Sequence, residues 1–382
     1  MEVPTKMRAA RIHDSGASPV VDQVDVPPID EEEVLVRVRS CGMVPNLLNV
    51  VRNFPTVLPD LPLPPFPAIF GLDPAGEIAQ VGSRVKGVQV GDRVYVNPIR
   101  SCNTCRHCAD GDYLACAHYA FAGYFGFSPK SREVYKRYAS GGFAEYMRAP
   151  SYAVVKIADA MSFDEAARLG YIGTAYGGLR RAGVGPESVV LINGASGTLG
   201  LGGVISALAL GARRILGVAR NRALLEQVRA IAPDRIETWS TEDGPIDKWA
   251  LAMTDGEGVD VALDCLPFGS PPELFLSALK LVRRGGVMVN AGGVVGDVPV
   301  PLGDLMIKGV ALLSSNWFTP KHAREIAALV GSGLLNVSAL DHKGYALDQI
   351  EQALSSFDAR RGGFTNVVIR PQAEPHLETI AH

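Results

Sequence analysis

The sequence predicts an α/β protein of two parts, a β-rich domain followed by a doubly wound parallel sheet. Two changes of texture carry this reading. The first 150 residues are rich in Val, Gly and Pro, and turn signals interrupt them every ten residues or so. From about residue 165, short apolar runs alternate with stretches of helical length, the pattern of a parallel sheet covered by helices on both faces. A chain of 382 residues is long enough to give each part its own core.

In the first part, Val34–Val38 and Arg93–Val96 read as short strands. Six prolines between Pro55 and Pro67 predict an irregular, stiffened loop there. In the second part the order is strand Val189–Asn193, helix Thr198–Leu210, strand Ile215–Ala219 and helix Arg222–Ile231. Strand Val259–Cys265, helix Glu273–Val282 and strand Gly286–Ala291 continue it. The tail, from about Pro320, reads as one amphipathic helix and a strand at Asn366–Ile369 that returns to the first domain. The expected boundaries are 1–160, 161–316 and 317–382.

Bulk properties exclude several classes. Composition is that of a soluble globular protein, 47% hydrophobic and 20% charged. A formal net charge of −3 lacks the concentrated basic stripe of a nucleic-acid binder. The N-terminal residues carry no apolar signal core, and the longest apolar stretch, Val204–Leu210, is far short of a membrane span. The expected location is cytoplasmic, with neither nucleic acid nor membrane as partner.

Cys102, Cys105, Cys108 and Cys116 follow the spacing C-x2-C-x2-C-x7-C in a lobe at 101–117. Four thiolates this close suit one tetrahedral Zn²⁺ whose positions are all filled by protein, a structural site. Local disulfides or free thiols are the alternatives; disulfides would need an oxidising compartment, for which nothing else in the sequence speaks.

The turn Gly194-Ala-Ser196-Gly197-Thr198-Leu199-Gly200 lies between a predicted strand and a predicted helix. Glycines there permit a tight turn and close backbone approach, and the helix N-terminus offers amides to a pyrophosphate. About twenty residues on, where a carboxylate would bind the ribose hydroxyls of NAD(H), the chain reads Arg220-Asn221-Arg222. Guanidinium groups suit a 2′-phosphate, so the expected cofactor is NADP(H) ahead of NAD(H). The alternative is that both arginines solvate a helix start.

The landmarks as a set resemble the medium-chain dehydrogenase/reductase superfamily. Phe70-Gly-Leu-Asp-Pro-Ala-Gly-Glu is similar to its "GHE…G" segment and Val90-Gly-Asp-Arg-Val to its "GDRV" strand. The four-cysteine lobe, Gly141-Gly-Phe-Ala-Glu-Tyr146, Thr174-Ala-Tyr and the nucleotide turn follow in order. The resemblance covers essentially the whole chain and implies a GroES-like catalytic domain interrupted by a Rossmann domain, with a homodimer expected by analogy.

Measured against that family the chain departs at the catalytic zinc. Val44 and Leu72 stand where two metal ligands would be, and the third position falls at or beside Tyr171, with no cysteine between Cys116 and Cys265. Asp73 alone is no zinc site. Asn46 occupies the hydroxyl position of the usual proton relay. Without a Lewis acid, hydride transfer still runs to an acceptor already electrophilic, such as an α,β-unsaturated carbonyl or a quinone. The leading expectation is an NADPH-dependent oxidoreductase of such a substrate. Tyr171 is expected as donor or general acid, Asn46 as an orienting amide, and Thr174 against the nicotinamide, a role the resemblance implies. A zinc-independent alcohol dehydrogenase or ketone reductase is one alternative, and a non-catalytic NADPH-binding protein is another. Tyr119, Phe121, Tyr124, Phe125 and Phe127 are candidates either for a substrate wall or for ordinary packing.

Overall fold

The structure is a computed structural model and describes residues 3–359 and 362–373. Residues 1–2, 360–361 and 374–382, which belong to the expected first domain and C-terminal return, lie outside the described residues.

The second part is a six-stranded parallel sheet. Its spatial order is Ile236–Ser240, Arg214–Ala219, Val189–Asn193, Val259–Asp264, Val282–Asn290 and Ala311–Ser314. Counted along the chain this is 3-2-1-4-5-6, the doubly wound order whose switch point lies at the first strand. The central strands Val189–Asn193 and Val259–Asp264 are almost wholly apolar and mostly buried because both faces are covered, whereas the edge strand Ala311–Ser314 is largely exposed. Val190 and Ile192 enter the large core shared with the β-rich domain, while Val189 and Leu191 enter a second core beneath the opposite helices. The two-residue period of the strand is what divides them.

In the β-rich part, Glu33–Gly42 is the central strand. It pairs with Asp73–Val81, with Tyr146–Pro150 and with the C-terminal strand Thr365–Arg370, all antiparallel. Val368 and Ile369 lie opposite Gly42 and Cys41. The tail therefore closes onto the strand that leads into the candidate site, and Asp341–Ala346 adds a parallel neighbour to it.

Two local expectations need correction. The helix Leu47–Val57 contains Pro55, so the irregular loop starts only after it. Pro55 sits in the last turn, and burial of Leu47, Val50, Val51 and Phe54 holds the helix through it. The tail carries two helices rather than one, Pro320–Gly331 and Ile350–Ala359. The second is short, and turn-rich sequence before it hides its period.

The halves meet at close backbone contacts. A Cβ at Gly42 would lie 2.1 Å from the carbonyl oxygen of Ala167, just before the helix Leu169–Arg181. No flexible side chain can yield there. Gly42→Ala is expected to destabilise the protein by about 1–3 kcal/mol through overpacking. Gly185→Ala, in open space, is expected to stay within about 0.5 kcal/mol. Urea midpoints at constant m-value check both.

Candidate active site

The nucleotide turn has the geometry a pyrophosphate requires. Gly194 sits at φ +90°, and its amide and that of Ala195 both donate to Val218 O, at 2.8 and 2.9 Å. A Cβ at Gly200 would lie 2.0 Å from Gly194 O, so this glycine lets the helix Thr198–Ala209 pack onto the turn. A Cβ at Gly197 would meet only Gly194 O, at 3.3 Å, which leaves its outer side open to a ligand. The amides of Thr198, Leu199 and Gly200 begin the helix and have no acceptor within it, and Gly363 packs against the peptide between Gly197 and Thr198. Ser196 is buried in the turn, and its carbonyl accepts the amide of Gly363 at 2.7 Å. A dinucleotide fits this cradle.

At the far end of the cradle the two arginines differ. Asn221 caps the helix Arg222–Ala230, its side chain accepting the amide of Leu224 at 3.0 Å. Arg222 is held by Glu242 and Asp243 at 2.8 and 2.5 Å. Arg220 is exposed, and its side chain makes no hydrogen bond or ion pair among the described residues.

Two of the candidate catalytic residues, Tyr171 and Thr174, lie in the first turns of the helix Leu169–Arg181, while Asn46 lies at the start of another helix, Leu47–Val57. Val44, Leu72 and Asp73 are all buried, so the region aligned with the family's metal is an apolar floor with one carboxylate. A Cβ on Gly170 would lie 2.1 Å from Asp73 Oδ1; only glycine admits the carboxylate at the helix start. Tyr95 donates its hydroxyl to Asp73 Oδ1 at 2.7 Å. Burial pushes the Asp73 carboxyl up, and Tyr95, Arg168 and the Gly170 amide counter it only partly, leaving it at about 7. Cys41 packs its sulfur against the backbones of Gly71 and Gly142, and burial holds it as a thiol.

Arg168 is buried beside this group. Its guanidinium donates to Gly363 O at 2.6 Å and more weakly to Thr198 O at 3.4 Å, and lies 5.6 Å from the ring centre of Tyr171. One side chain thus touches the cofactor turn, the C-terminal loop and the predicted acid. Tyr171 is half-buried, the third residue of its helix, which packs on the nucleotide helix at Gly202. Thr174 is nearly buried, and its hydroxyl donates to Gly170 O at 2.8 Å, so toward a ligand it offers lone pairs rather than its proton. Asn46 begins the helix Leu47–Val57 and accepts from Asn49 at 2.9 Å, which in turn accepts from Asn53 at 2.7 Å. This row of amides orients but has no ionisable member to move a proton.

Sequence reasoning missed Arg168 and Tyr95, and it offered Tyr124 only as a wall or packing aromatic, not as a hydrogen-bond donor. Tyr124 is buried, within electrostatic reach of Tyr171 and Asp73, and its hydroxyl has no hydrogen-bond partner among the described residues. Burial first, then those two groups, push its phenol well up, so it remains a neutral donor. A charged residue just ahead of an apolar helix start was the available signal for Arg168. The other aromatics interlock as core. Phe121 lies 4.6 Å from Trp317 and Tyr119 stacks on Phe127 at 4.3 Å, which favours packing over a substrate wall for most of the segment.

In the cysteine lobe the four sulfurs lie within 4.8 Å of one another, with neighbouring pairs at 3.6, 3.6 and 3.9 Å. Zinc–sulfur bonds of about 2.3 Å at tetrahedral angles require separations near that value. Burial opposes ionisation of Cys102, but donors from Thr104 and the Cys105 amide outweigh it and bring the thiol down to about 5. The four sulfurs are unbridged and close enough together for one Zn²⁺ to fit among them. Among the described residues no helix is long and apolar enough to cross a membrane.

Comparison with known proteins agrees with this architecture. Residues 30–159 match the alcohol dehydrogenase GroES-like domain and residues 198–332 match the zinc-binding dehydrogenase family. An alcohol dehydrogenase of Geobacillus stearothermophilus is 31% identical over 329 residues, 86% of this chain and 90% of that protein. A zinc-binding dehydrogenase of Sinorhizobium meliloti solved with NADP has a TM-score of 0.79 at 22% identity, covering 96% of this chain and 100% of that one. An alcohol dehydrogenase of Escherichia coli solved with NADH has a TM-score of 0.80 at 20% identity, covering 96% and 100%. The chain belongs to the medium-chain dehydrogenase/reductase superfamily and is an NAD(P)-dependent oxidoreductase of its alcohol dehydrogenase-like family.

Proposed function

We propose that the protein is an NADPH-dependent reductase of conjugated carbonyl compounds or quinones that works without a catalytic metal and keeps one structural Zn²⁺ in its cysteine lobe. The observation that carries this is the buried, non-ligating set Val44 and Leu72 beside a helix start that presents Tyr171 next to the nucleotide turn. Structural neighbours with bound NADP and with bound NADH support a nicotinamide cofactor, and the exposed Arg220 favours NADPH. NADPH, when bound, supplies the hydride. The chain's own residues then hold the charge that develops on the conjugated oxygen. Tyr171, whose ring lies beside the Arg168 that contacts the cofactor turn, is the proposed donor, and Tyr124 is a second neutral phenol in electrostatic reach of it. Asn46 orients the carbonyl, and Thr174 accepts from the nicotinamide end of the cofactor. The apolar floor favours a flat, apolar substrate over a polyol.

A second reading, reduction of an isolated carbonyl, has its own support, because the curated relatives include dehydrogenases of alcohols, sorbitol and L-threonine. NADPH deuterated at C4 separates the two. Deuterium on the β-carbon of an enone product is the expected outcome, and deuterium on the carbinol carbon would replace the proposal with the second reading. Tyr171→Phe is expected to lower turnover by about tenfold or more with little change in NADPH affinity.

Asp73 gives a pH signature. Its folded value, about 7, exceeds the ordinary aspartate value of 3.8, so between them the native state holds a proton the unfolded chain has lost. Its contribution is fully present below about pH 4 and is lost as pH rises to about 7. Asp73→Asn is expected to flatten the fall in melting temperature across that window. An unchanged slope would show that the carboxyl is ionised throughout.

The second copy proposed for a homodimer would sit on the edge strand Ala311–Ser314. Its ladder groups are unpaired on one side, and Leu302, Met306 and Leu312 are 73%, 78% and 43% exposed nearby. Met306→Asp with Leu312→Arg is expected to yield monomers in light scattering, with the wild type at twice that mass.

A further inference from the structure

The ribose end of the nucleotide site carries a feature that cuts against the phosphate reading of its sequence. The strands Arg214–Ala219 and Ile236–Ser240 are in parallel register, with Ala219 opposite Ser240. Ser240 Oγ donates to Arg220 O at 2.7 Å and accepts the amide of Glu242 at 3.2 Å. These two bonds fix the short helical turn Thr241–Asp243 against the end of the neighbouring strand. Two carboxylates are thereby set opposite the first residue of the next helix.

The guanidinium of Arg222 meets them with all three nitrogens. Nε and Nη2 donate to Asp243 Oδ1 at 3.1 and 2.5 Å, and Nη1 donates to Glu242 Oε2 at 2.8 Å. A 2′-phosphate arriving here finds two positive and two negative side chains rather than two free cations. It must either take Arg222 from its acids or bind beside them. A ribose bearing a free 2′-hydroxyl pays no such penalty.

We propose that Glu242 and Asp243 form an acidic clamp on Arg222 that sets the cofactor preference, leaving Arg220 as the residue that reads the 2′-phosphate. The clamp narrows the preference for NADPH over NADH that two free arginines would give. This rests on the NADPH reading above and deepens it. The three side chains are 56%, 57% and 41% exposed, so the clamp is an exposed ion-pair network, weak enough for a phosphate to compete with and sensitive to salt.

Cofactor binding tests it without turnover. Dissociation constants for NADPH and NADH are measured by quenching of tryptophan fluorescence, at low salt. The proteins are the wild type, E242Q/D243N, R222A and the triple variant, with R220A alongside. Releasing Arg222 is expected to tighten NADPH binding about 3- to 10-fold in E242Q/D243N and to leave NADH binding unchanged. The gain is expected to vanish in the triple variant, because no guanidinium is left to release. R220A is expected to weaken NADPH binding about tenfold or more. No gain in E242Q/D243N would overturn the clamp. So would a gain that survives loss of Arg222, since the acids would then act on the phosphate directly. If the wild type prefers NADH while the Arg222-dependent gain persists, the clamp stands and the NADPH reading fails.

Discussion

A buried guanidinium joins the two halves of this protein. Arg168 donates to Gly363 O from the C-terminal return and to Thr198 O at the head of the nucleotide helix, with the Tyr171 ring and the Asp73 carboxyl beside it. Taking such a cation out of water costs several kcal/mol unless its donors are satisfied. The carbonyls that satisfy it come from both parts of the fold, so the cofactor turn and the candidate acid are positioned together. The glycines around it serve the same end. Gly42, Gly170 and Gly202 each stand where a Cβ would collide with the backbone or with Asp73, and they bring the central strand, the helix of Tyr171 and the nucleotide helix into contact.

The chemistry proposed for the site follows from what replaces the metal. An unpaired ligand left in a dry pocket would be costly, whereas Val44 and Leu72 fill the space with apolar volume. The remaining carboxylate is sequestered by Tyr95 and the helix start. In the proposed mechanism two phenols hold the oxyanion, and burial keeps that of Tyr124 neutral. Such a site suits substrates whose own conjugation spreads the charge.

Much of the fold was legible because it rests on local chemistry. The alternation of apolar strand and helix after residue 165 marks a sheet buried on both faces, and the glycine turn marks its switch point. The cysteine lobe was legible from spacing alone, since four ligands within fifteen residues leave the chain little freedom. Less of the site could be read. Arg168, Tyr95 and Tyr124 become neighbours only through long-range packing, and no periodicity reports that. The arginine pair shows the limit most clearly. Arg220 and Arg222 read alike in sequence, yet Asp243, twenty-one residues past Arg222, engages one and leaves the other exposed.

The central claim is that this chain binds zinc for structure and not for catalysis. Elemental analysis of the active protein, together with native mass spectrometry, tests it directly. The account predicts one zinc per chain, lost when Cys102 and Cys105 are replaced by serine, and full turnover at that stoichiometry. Two zinc ions per chain, with activity tracking the second as it is chelated away and restored, would contradict it.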